Sequence, residues 1–328
     1  KVGNLSSSHG GTINLKNSAP TFTWTPGIVE LVKNTNMNNT IIRYECPEYK
    51  DSSFSFEVFD ESQTSIFKKE NIQQTSYIPT DAEWNLFKVN LRNKCTIRIT
   101  GFNVEETASA SKSNFVEKEF NIAVDKWTLM IYMCGNNLGK SACEDVREMV
   151  DALNENYPNS EDVNVIIESG GCDTWVYDHS LPWSAYSMQR SHLYGHVVVD
   201  EVMDLKSMGQ KETFQEFLEW GLTKYPAEKT GVILWNHGNA MRGVCRDIHF
   251  DEPGYADQYN ICNEDRLLNS DVKAALAGAF DNTGRKQKLE FVGYSACLMQ
   301  VQDVAEFNSK YFNYMIASEE SEAGEGWD

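Results

Sequence analysis

The stretch Gly231-Val232-Ile233-Leu234-Trp235-Asn236-His237-Gly238 joins a continuous apolar run to a polar turn that contains glycine. Four apolar side chains in succession, without alternation, are typical of a strand covered on both faces, as in a parallel sheet. The residues that follow such a strand emerge at its carboxyl end, where open α/β sheets carry their functional groups. This stretch therefore predicts a core strand that brings His237 to a functional edge.

Similar apolar runs lie on both sides of this stretch and are separated by segments with helical spacing. The predicted core strands occupy residues 128–133, 163–167, 289–294 and 311–317, and the predicted helices occupy residues 142–156, 213–225, 267–280 and 299–309. Residues 184–205 are typical of one or two β-hairpins. Alternation of strands and helices predicts an α/β fold with a largely parallel sheet and helices on its faces.

A second reactive residue follows the predicted strand at 289–294. Ser295-Ala296-Cys297-Leu298 comes directly after it, 60 residues beyond His237, close to the spacing of about 50 residues between His and Cys in caspases. A free thiol has a pKa of about 8.5, and a neighbouring imidazole both lowers it and protonates the leaving amine. We therefore predict a catalytic dyad of Cys297 and His237.

Gly238 directly follows the histidine. A residue without a Cβ allows a backbone N–H to approach a substrate carbonyl closely. The N–H groups of Gly238 and Cys297 are therefore predicted to form an oxyanion hole, in which each donor contributes roughly 10²–10³ in rate.

The chain before residue 125 has a different pattern. Residues 1–11 are rich in Ser and Gly and are expected to be a flexible tether left after removal of a leader, which predicts a secreted or cell-envelope location. Residues 12–124 contain short alternating runs, such as Ser53–Phe59 and 96–100, separated by turn signals. They predict an all-β sandwich of the immunoglobulin or fibronectin III type, and residues 125–328 form the second domain.

The net charge is −19, and it is unevenly distributed. Residues 1–124 hold 13 Lys and Arg against 14 Asp and Glu, so nearly all of the net charge lies in residues 125–328. Such a field repels nucleic acid and anionic lipid and attracts cationic peptides. No apolar run approaches the roughly 18 residues of a membrane span. Nucleic-acid binding and a membrane-spanning role are therefore not expected.

Four motifs of the second domain resemble the clostripain family of cysteine peptidases. They are, in chain order, residues 127–138 (WTLMIYMCGNNL), 234–238 (LWNHG), 293–299 (GYSACLM) and 317–327 (ASEESEAGEGW). The resemblance implies a caspase-like fold, shared with gingipains and legumain, and endopeptidase activity on protein or peptide substrates. By motif position, His237 and Cys297 would be the catalytic dyad.

One residue departs from this pattern. The family usually carries Asp two residues before the cysteine, at the floor of the pocket that holds Arg or Lys, and this chain has Ser295 there. A serine removes the charge that would pair with a cationic side chain. Glu319 and Glu320, which the resemblance brings to the border of the same pocket, are candidates to replace it. Preference for an uncharged side chain is the alternative.

The resemblance also bears on activation and cofactors. The family's domain continues beyond the Gly-Trp motif, so association with a further C-terminal segment of the same protein is expected. Several relatives cleave themselves between the His and Cys motifs, where residues 246–264 would form an exposed loop. No cofactor is required, but calcium is compatible with the acidic residues of that loop, Asp247, Asp251, Glu252 and Asp257, although their spacing fits no EF-hand. The chain contains no Cys-x-x-Cys pair, so a zinc site is not predicted.

Two other functions compete with the peptidase. Residues 293–297 nearly match the Gly-x-Ser-x-Gly motif of serine hydrolases, with Ser295 as nucleophile. The catalytic histidine of that fold follows the serine, and no histidine follows position 295 in this chain. The second alternative is a surface binding protein with a catalytically decayed peptidase domain, which the departure at Ser295 favours and the intact His237, Gly238 and Cys297 oppose.

Overall fold

The computed structural model describes residues 12–13, 21–24, 42–45, 53–74, 76–102, 114–121, 124–135, 138–156, 162–170, 187–247, 265–323 and 326–327. The chain divides into two compact units, one of Lys1–Val124 with Gly284–Lys286 and the other of Asp125–Thr283 with Gln287–Asp328. None of the described helices is long and apolar enough to cross a membrane.

The described part of the first unit contains two antiparallel sheets and a helix. Its elements are β1 (Thr12–Ile13), β2 (Thr21–Trp24), β3 (Ile42–Glu45), β4 (Ser53–Phe59), β5 (Ser65–Ile72), β6 (Ser76–Tyr77), α1 (Asp81–Asn90), β7 (Lys94–Phe102) and β8 (Asn114–Asn121). The strand orders are β1-β2-β3-β6 and β5-β4-β7-β8. Membership of the immunoglobulin or fibronectin III class stays a prediction.

Helix α1 corrects the prediction that residues 12–124 are all β. Thr80 Oγ1 accepts a hydrogen bond from the Glu83 N–H at 3.3 Å, and Glu83 Oε2 accepts one from the Thr80 N–H at 2.7 Å. This capping box satisfies two N–H groups that helix formation leaves without partners. Trp84 and Phe87, one turn apart, are buried and pack edge to face at 5.3 Å between centroids. Capping and burial together favour a helix where strand alternation was expected.

The second unit has the predicted α/β architecture. Its strands are β9 (Asp125–Met133), β10 (Val163–Gly170), β11 (Ser187–Leu193), β12 (Val197–Asp204), β13 (Ala227–Trp235), β14 (Val244–Arg246), β15 (Arg266–Leu267), β16 (Leu289–Ser295) and β17 (Phe312–Ile316). Its helices are α2 (Gly139–Asn156), α3 (Lys211–Lys224), α4 (Asn269–Thr283) and α5 (Gln302–Asn308), with a 3₁₀ turn at Ala240–Arg242.

A seven-stranded sheet forms the centre of this unit, in the order β12-β11-β10-β9-β13-β16-β17. The strands from β10 to β17 in that order are parallel, and β11 and β12 add an antiparallel hairpin at one edge. The predictions of a largely parallel sheet and of a hairpin within residues 184–205 are confirmed. This edge hairpin makes the sheet mixed.

Successive side chains of the central strands enter two different cores. Met130, Tyr132 and Leu234 pack on the face that α3, α4 and α5 cover, whereas Met133 and Trp235 pack on the face that α2 covers. Burial on both faces explains why these strands read as continuous apolar runs.

Helix α5 begins at Gln302, three residues later than predicted. The preceding residues are held by another segment, because the Leu298 N–H donates to Glu320 O at 3.0 Å and the Gln300 N–H donates to Ser318 O at 2.9 Å. Residues 298–300 therefore belong to the turn that follows Cys297.

A buried ion pair joins β10 to β11. Arg190 Nε donates to Glu168 Oε2 at 2.6 Å, and Arg190 Nη1 lies 3.2 Å from Glu201 Oε2. Burial, which outweighs the attraction of Arg190, raises the pKa of Glu168 to about 7. The cost of removing both charges from water offsets much of their attraction, so such a pair adds little net stability, whereas removal of one partner is strongly destabilising.

Two buried carboxylates stand at positions 247 and 265. The Asp247 N–H donates to Asp265 O at 2.8 Å, and Asp247 Oδ2 accepts from the Met208 N–H at 3.0 Å. Asp265 Oδ2 accepts from the Ser207 hydroxyl, and its Oδ1 accepts from Gln210 Nε2 at 2.5 Å. Both positions are thereby joined to each other and to the segment before α3.

Candidate active site

The predicted dyad follows two strands that are neighbours in the sheet. β13 and β16 pair in parallel with Trp235 opposite Ser295, and the Asn236 N–H donates to Ser295 O at 3.3 Å. His237 and Cys297 each lie two residues beyond this last rung. The sheet register therefore brings both residues to the same carboxyl edge.

Gly238 lies against the backbone of Cys297. A Cβ at position 238 would overlap the carbonyl oxygen of Cys297 and come within 2.9 Å of Met299 Cγ. Any residue other than glycine would push the histidine turn away from the cysteine turn. This close approach is the most direct observation that joins the two turns.

Cys297 carries a partly exposed thiol. Its Sγ accepts a hydrogen bond from the Glu322 N–H at 3.4 Å. The next residue, Leu298, has a φ of +64°, a left-handed conformation that costs a residue with a Cβ roughly 1–2 kcal/mol. The turn after Cys297 is therefore sharp and is held by the 318–322 segment.

The other described cysteines are buried, namely Cys95, Cys134, Cys143 and Cys245. Burial raises the pKa of Cys95 to about 12 and raises that of Cys245 further. Among the five cysteines that the structure describes, Cys297 alone combines access to solvent with a donor to its sulfur. It is the thiol best suited to nucleophilic attack.

His237 lies at the surface with its imidazole partly covered, and hydrogen bonds anchor its main chain. Its carbonyl accepts from the Cys245 N–H at 3.2 Å, and the preceding Asn236 donates through Nδ2 to Cys134 O at 2.5 Å. Partial burial of the imidazole, and then the positive charge of Arg246, lower the pKa of His237 below its ordinary value. The ring is therefore neutral at pH 7 and can accept a proton.

A cavity of about 220 Å³ lies beside Ser295, on the face of the sheet that α2 covers. Its apolar walls are Ile131, Met133, Met149, Ala152, Ile233, Trp235 and Trp327, and its polar lining residues are Ser295, Asp145 and Glu148. Trp327 closes one side by packing on Gly293, where a Cβ would come within 2.8 Å of the indole.

Glu319 and Glu320 take a different position. Both are exposed, and neither is among the residues that line the cavity. Glu320 is joined to the cysteine turn through its backbone, because its carbonyl accepts from the Leu298 N–H. Of the three predicted pocket residues, the structure brings only Ser295 to the cavity wall.

The sequence reasoning missed both carboxylates of the cavity, of which Asp145 is the more buried. Asp145 contacts the sheet directly. Its Oδ2 accepts from Trp235 Nε1 at 2.7 Å. The available signal was helical spacing, because Asp145 lies four and seven residues before Met149 and Ala152, on one face of α2. A carboxylate on that face points toward the sheet.

Within the described parts of the chain, no group of three or more His, Cys, Asp or Glu side chains could hold a metal ion. Asp247 of the acidic loop is buried and already bonded to the Met208 N–H. The other three candidate calcium ligands, Asp251, Glu252 and Asp257, lie outside the described residues.

Several known proteins with similar sequences or structures are cysteine peptidases. Clostripain of Hathewaya histolytica is 24% identical over 198 residues, which are 55% of this chain and 35% of clostripain. A secreted C11 cysteine protease of Bacteroides thetaiotaomicron, solved with an irreversible peptide inhibitor, has 19% identity and a TM-score of 0.46 over 62% of this chain and 51% of its own. An inactive zymogen C11 protease of Parabacteroides distasonis has 18% identity and a TM-score of 0.45, with the same coverage.

The chain thus spans about a third to a half of the length of these relatives. The sequence model of the Clostripain family matches residues 131–328, which is more than half of the chain and includes both predicted dyad residues. The chain belongs to the clostripain family.

Proposed function

We propose that this protein is a cysteine endopeptidase in which Cys297 is the nucleophile and His237 is its base. Family membership supports a cysteine peptidase in general. The observation that carries the specific assignment is the approach of Gly238 to the Cys297 carbonyl, one residue after the histidine and at the same edge of the sheet.

The proposed reaction has two halves. Neutral His237 takes the thiol proton as Cys297 Sγ attacks the scissile carbonyl carbon, and the N–H groups of Gly238 and Cys297 donate to the resulting oxyanion. The C–N bond then breaks, His237 returns the proton to the leaving amine, and a thioester remains. Water, deprotonated by His237, hydrolyses the thioester and restores the thiol.

The competing nucleophile is Ser295. Its exposed fraction is 7%, and it is the last residue of β16, whereas Cys297 is partly exposed in the turn beyond. A buried hydroxyl on the strand is less accessible to a peptide carbonyl than the thiol in the turn. This difference favours cysteine chemistry over a serine hydrolase.

Two further expectations belong to this proposal. The substrates are proteins or peptides, and the protein acts outside the cell or in the cell envelope. No cofactor takes part in the proposed steps, and calcium dependence is tested by comparing turnover with and without a chelator.

The central test is hydrolysis of a peptide library by the full-length protein and two variants. Cys297→Ala removes the nucleophile, and we expect it to abolish hydrolysis while the thermal unfolding temperature stays unchanged. Cys95→Ala, which removes a buried cysteine of the first unit, is the matched control and should retain turnover. Turnover that survives Cys297→Ala would refute the assignment. A wild-type protein that folds and binds peptides but never cleaves them would instead be the decayed peptidase-like binding protein.

A further inference from the structure

The cavity beside Ser295 has its negative charge on only one wall. Asp145 and Glu148, on adjacent turns of α2, contribute carboxylates, and the three strands β9, β13 and β16 contribute only uncharged lining residues. The C-terminal segment contributes Trp327, whose Nε1 donates to Glu322 Oε1 at 3.1 Å. The charge that enters this largely apolar space therefore comes from the helix.

Asp145 is held in a fixed position in that wall. Its Oδ2 accepts from Trp235 Nε1 at 2.7 Å, and a Cβ at Gly326 would come within 3.4 Å of the same oxygen. Burial, together with the like charges of Glu148 and Glu144, raises the pKa of Asp145 to about 6, against the opposing effect of the Trp235 bond. At neutral pH the carboxylate is therefore ionised, beside charges of its own sign, and a cation placed there would be stabilised.

Two short connections join the same cavity to the Cys297 thiol, one along the chain and one through hydrogen bonds. Ser295, in its wall, lies two residues before Cys297 along the chain. Trp327, also in its wall, bonds to Glu322, whose backbone N–H donates to Cys297 Sγ. A substrate side chain that entered the cavity would thus be adjacent to a peptide bond held at Cys297.

We propose that Asp145 is the specificity-determining residue of this site, supplying from helix α2 the negative charge that Ser295 does not provide. The substrate residue that enters would have a long apolar stem and a cationic end, as Lys and Arg have. The apolar walls fit the stem, and the indole faces of Trp235 and Trp327 are surfaces on which cations bind. This inference rests on the proposed peptidase function, and it assigns no part in charge selection to Glu319 or Glu320.

The test compares two peptides that differ only in the residue before the scissile bond, lysine in one and norleucine in the other. The quantity measured is the ratio of their kcat/KM values, from pH 5 to pH 8.5. The ionisation of Cys297 and His237 affects both peptides alike and cancels in the ratio. For the wild-type protein, we expect the ratio to favour lysine at pH 8 and to fall as the pH drops through about 6, where Asp145 takes up a proton.

Asp145→Asn retains an acceptor for the Trp235 N–H but loses the charge. We expect it to lower the ratio at pH 8 by about tenfold or more, the size of a lost charge-assisted interaction, and to remove its dependence on pH. Glu144→Gln, at an exposed position of the same helix that pairs with Lys140 and does not line the cavity, is the matched control and should change the ratio by less than about threefold. An Asp145→Asn ratio equal to that of the wild type, or a wild-type preference for norleucine at pH 8, would overturn the proposal.

A second readout does not depend on turnover. On the Cys297→Ala protein, calorimetry gives the Kd of both peptides with Asp145 intact and with Asp145→Asn. Tighter binding of the lysine peptide that is lost in the double variant supports the inference, and equal Kd values overturn it. If the wild-type protein hydrolyses no peptide, the peptidase function is refuted. The comparison of Kd values then still tests whether Asp145 selects the lysine peptide.

Discussion

Trp235 and Ser295 face each other at the last rung between β13 and β16. Their positions determine where two loops leave the sheet, because His237 and Cys297 each follow two residues later. Their side chains also line one cavity. One pair of residues thus connects the proposed chemistry to the proposed substrate pocket.

Gly238→Ala tests the close approach of the two turns. The added methyl group would overlap the Cys297 carbonyl oxygen, so the histidine turn must move. We expect kcat/KM to fall about 100-fold, the effect of a displacement of about 1 Å, and the unfolding free energy to fall by about 1–3 kcal/mol. Peptide hydrolysis and denaturant unfolding measure the two effects.

Gly278→Ala is the control for that substitution. Its added methyl group would meet the side chain of Gln215, which can rotate away, and alanine is the better helix former in α4. We expect unchanged activity and equal or higher stability. A Gly238→Ala variant that kept full activity would show that the contact has no catalytic importance.

Some features of the site could be predicted from the sequence and others could not. His237 and Cys297 could be predicted because each follows an apolar run whose end can be recognised in the sequence. Their adjacency could not, because it depends on sheet order, which arises from packing of distant segments. The same holds for Asp145. The helical spacing predicts which face of the helix it lies on, but not its contact with Trp235, which is 90 residues away in the chain.

Helix α1 is a different kind of error. The capping residues Thr80 and Glu83 and the spacing of Trp84 and Phe87 were all present in the sequence. Two strong strand patterns nearby, at Ser53–Phe59 and 96–100, led to the expectation of β structure throughout. The capping residues and the helical spacing determine this helix. The interpretation gave more weight to the strand patterns on either side of it.

Thiol labelling distinguishes the cysteines by exposure. Among the five described cysteines, iodoacetamide at pH 7 should modify Cys297 first, because the other four are buried and burial disfavours the thiolate. Peptide mapping by mass spectrometry at short times gives the order. Faster labelling of Cys134 or Cys143 would contradict the assignment of the nucleophile.

Arg246→Ala tests the electrostatics of His237. The charge of Arg246 disfavours the imidazolium, so removing it should raise the pKa of His237 toward its ordinary value. The imidazole would then remain protonated to higher pH, and the acid limb of kcat/KM should shift to higher pH. Arg242→Ala, at the nearby 3₁₀ turn, is the control and should leave that limb in place. A shift in the opposite direction would exclude the proposed effect of Arg246.

Arg190→Met tests the ion pair between β10 and β11. It leaves Glu168 charged and buried without its guanidinium, and we expect a loss of about 3–5 kcal/mol in unfolding free energy at pH 8. Because burial already raises the pKa of Glu168 to about 7, the carboxyl takes up a proton at lower pH. The loss should therefore be smaller at pH 5.5. Lys94→Met, which breaks the exposed pair with Glu119, should cost less than about 1 kcal/mol at either pH.

The bond between Asp247 and Asp265 has a consequence for chain connectivity. His237 precedes this bond in sequence and Cys297 follows it, yet both flanks are tied to each other and to Ser207, Met208 and Gln210. If a peptide bond between positions 247 and 265 were broken, both pieces of the chain would still be held in this folded unit by these bonds. The protein should therefore tolerate a nick there without separating its base from its nucleophile.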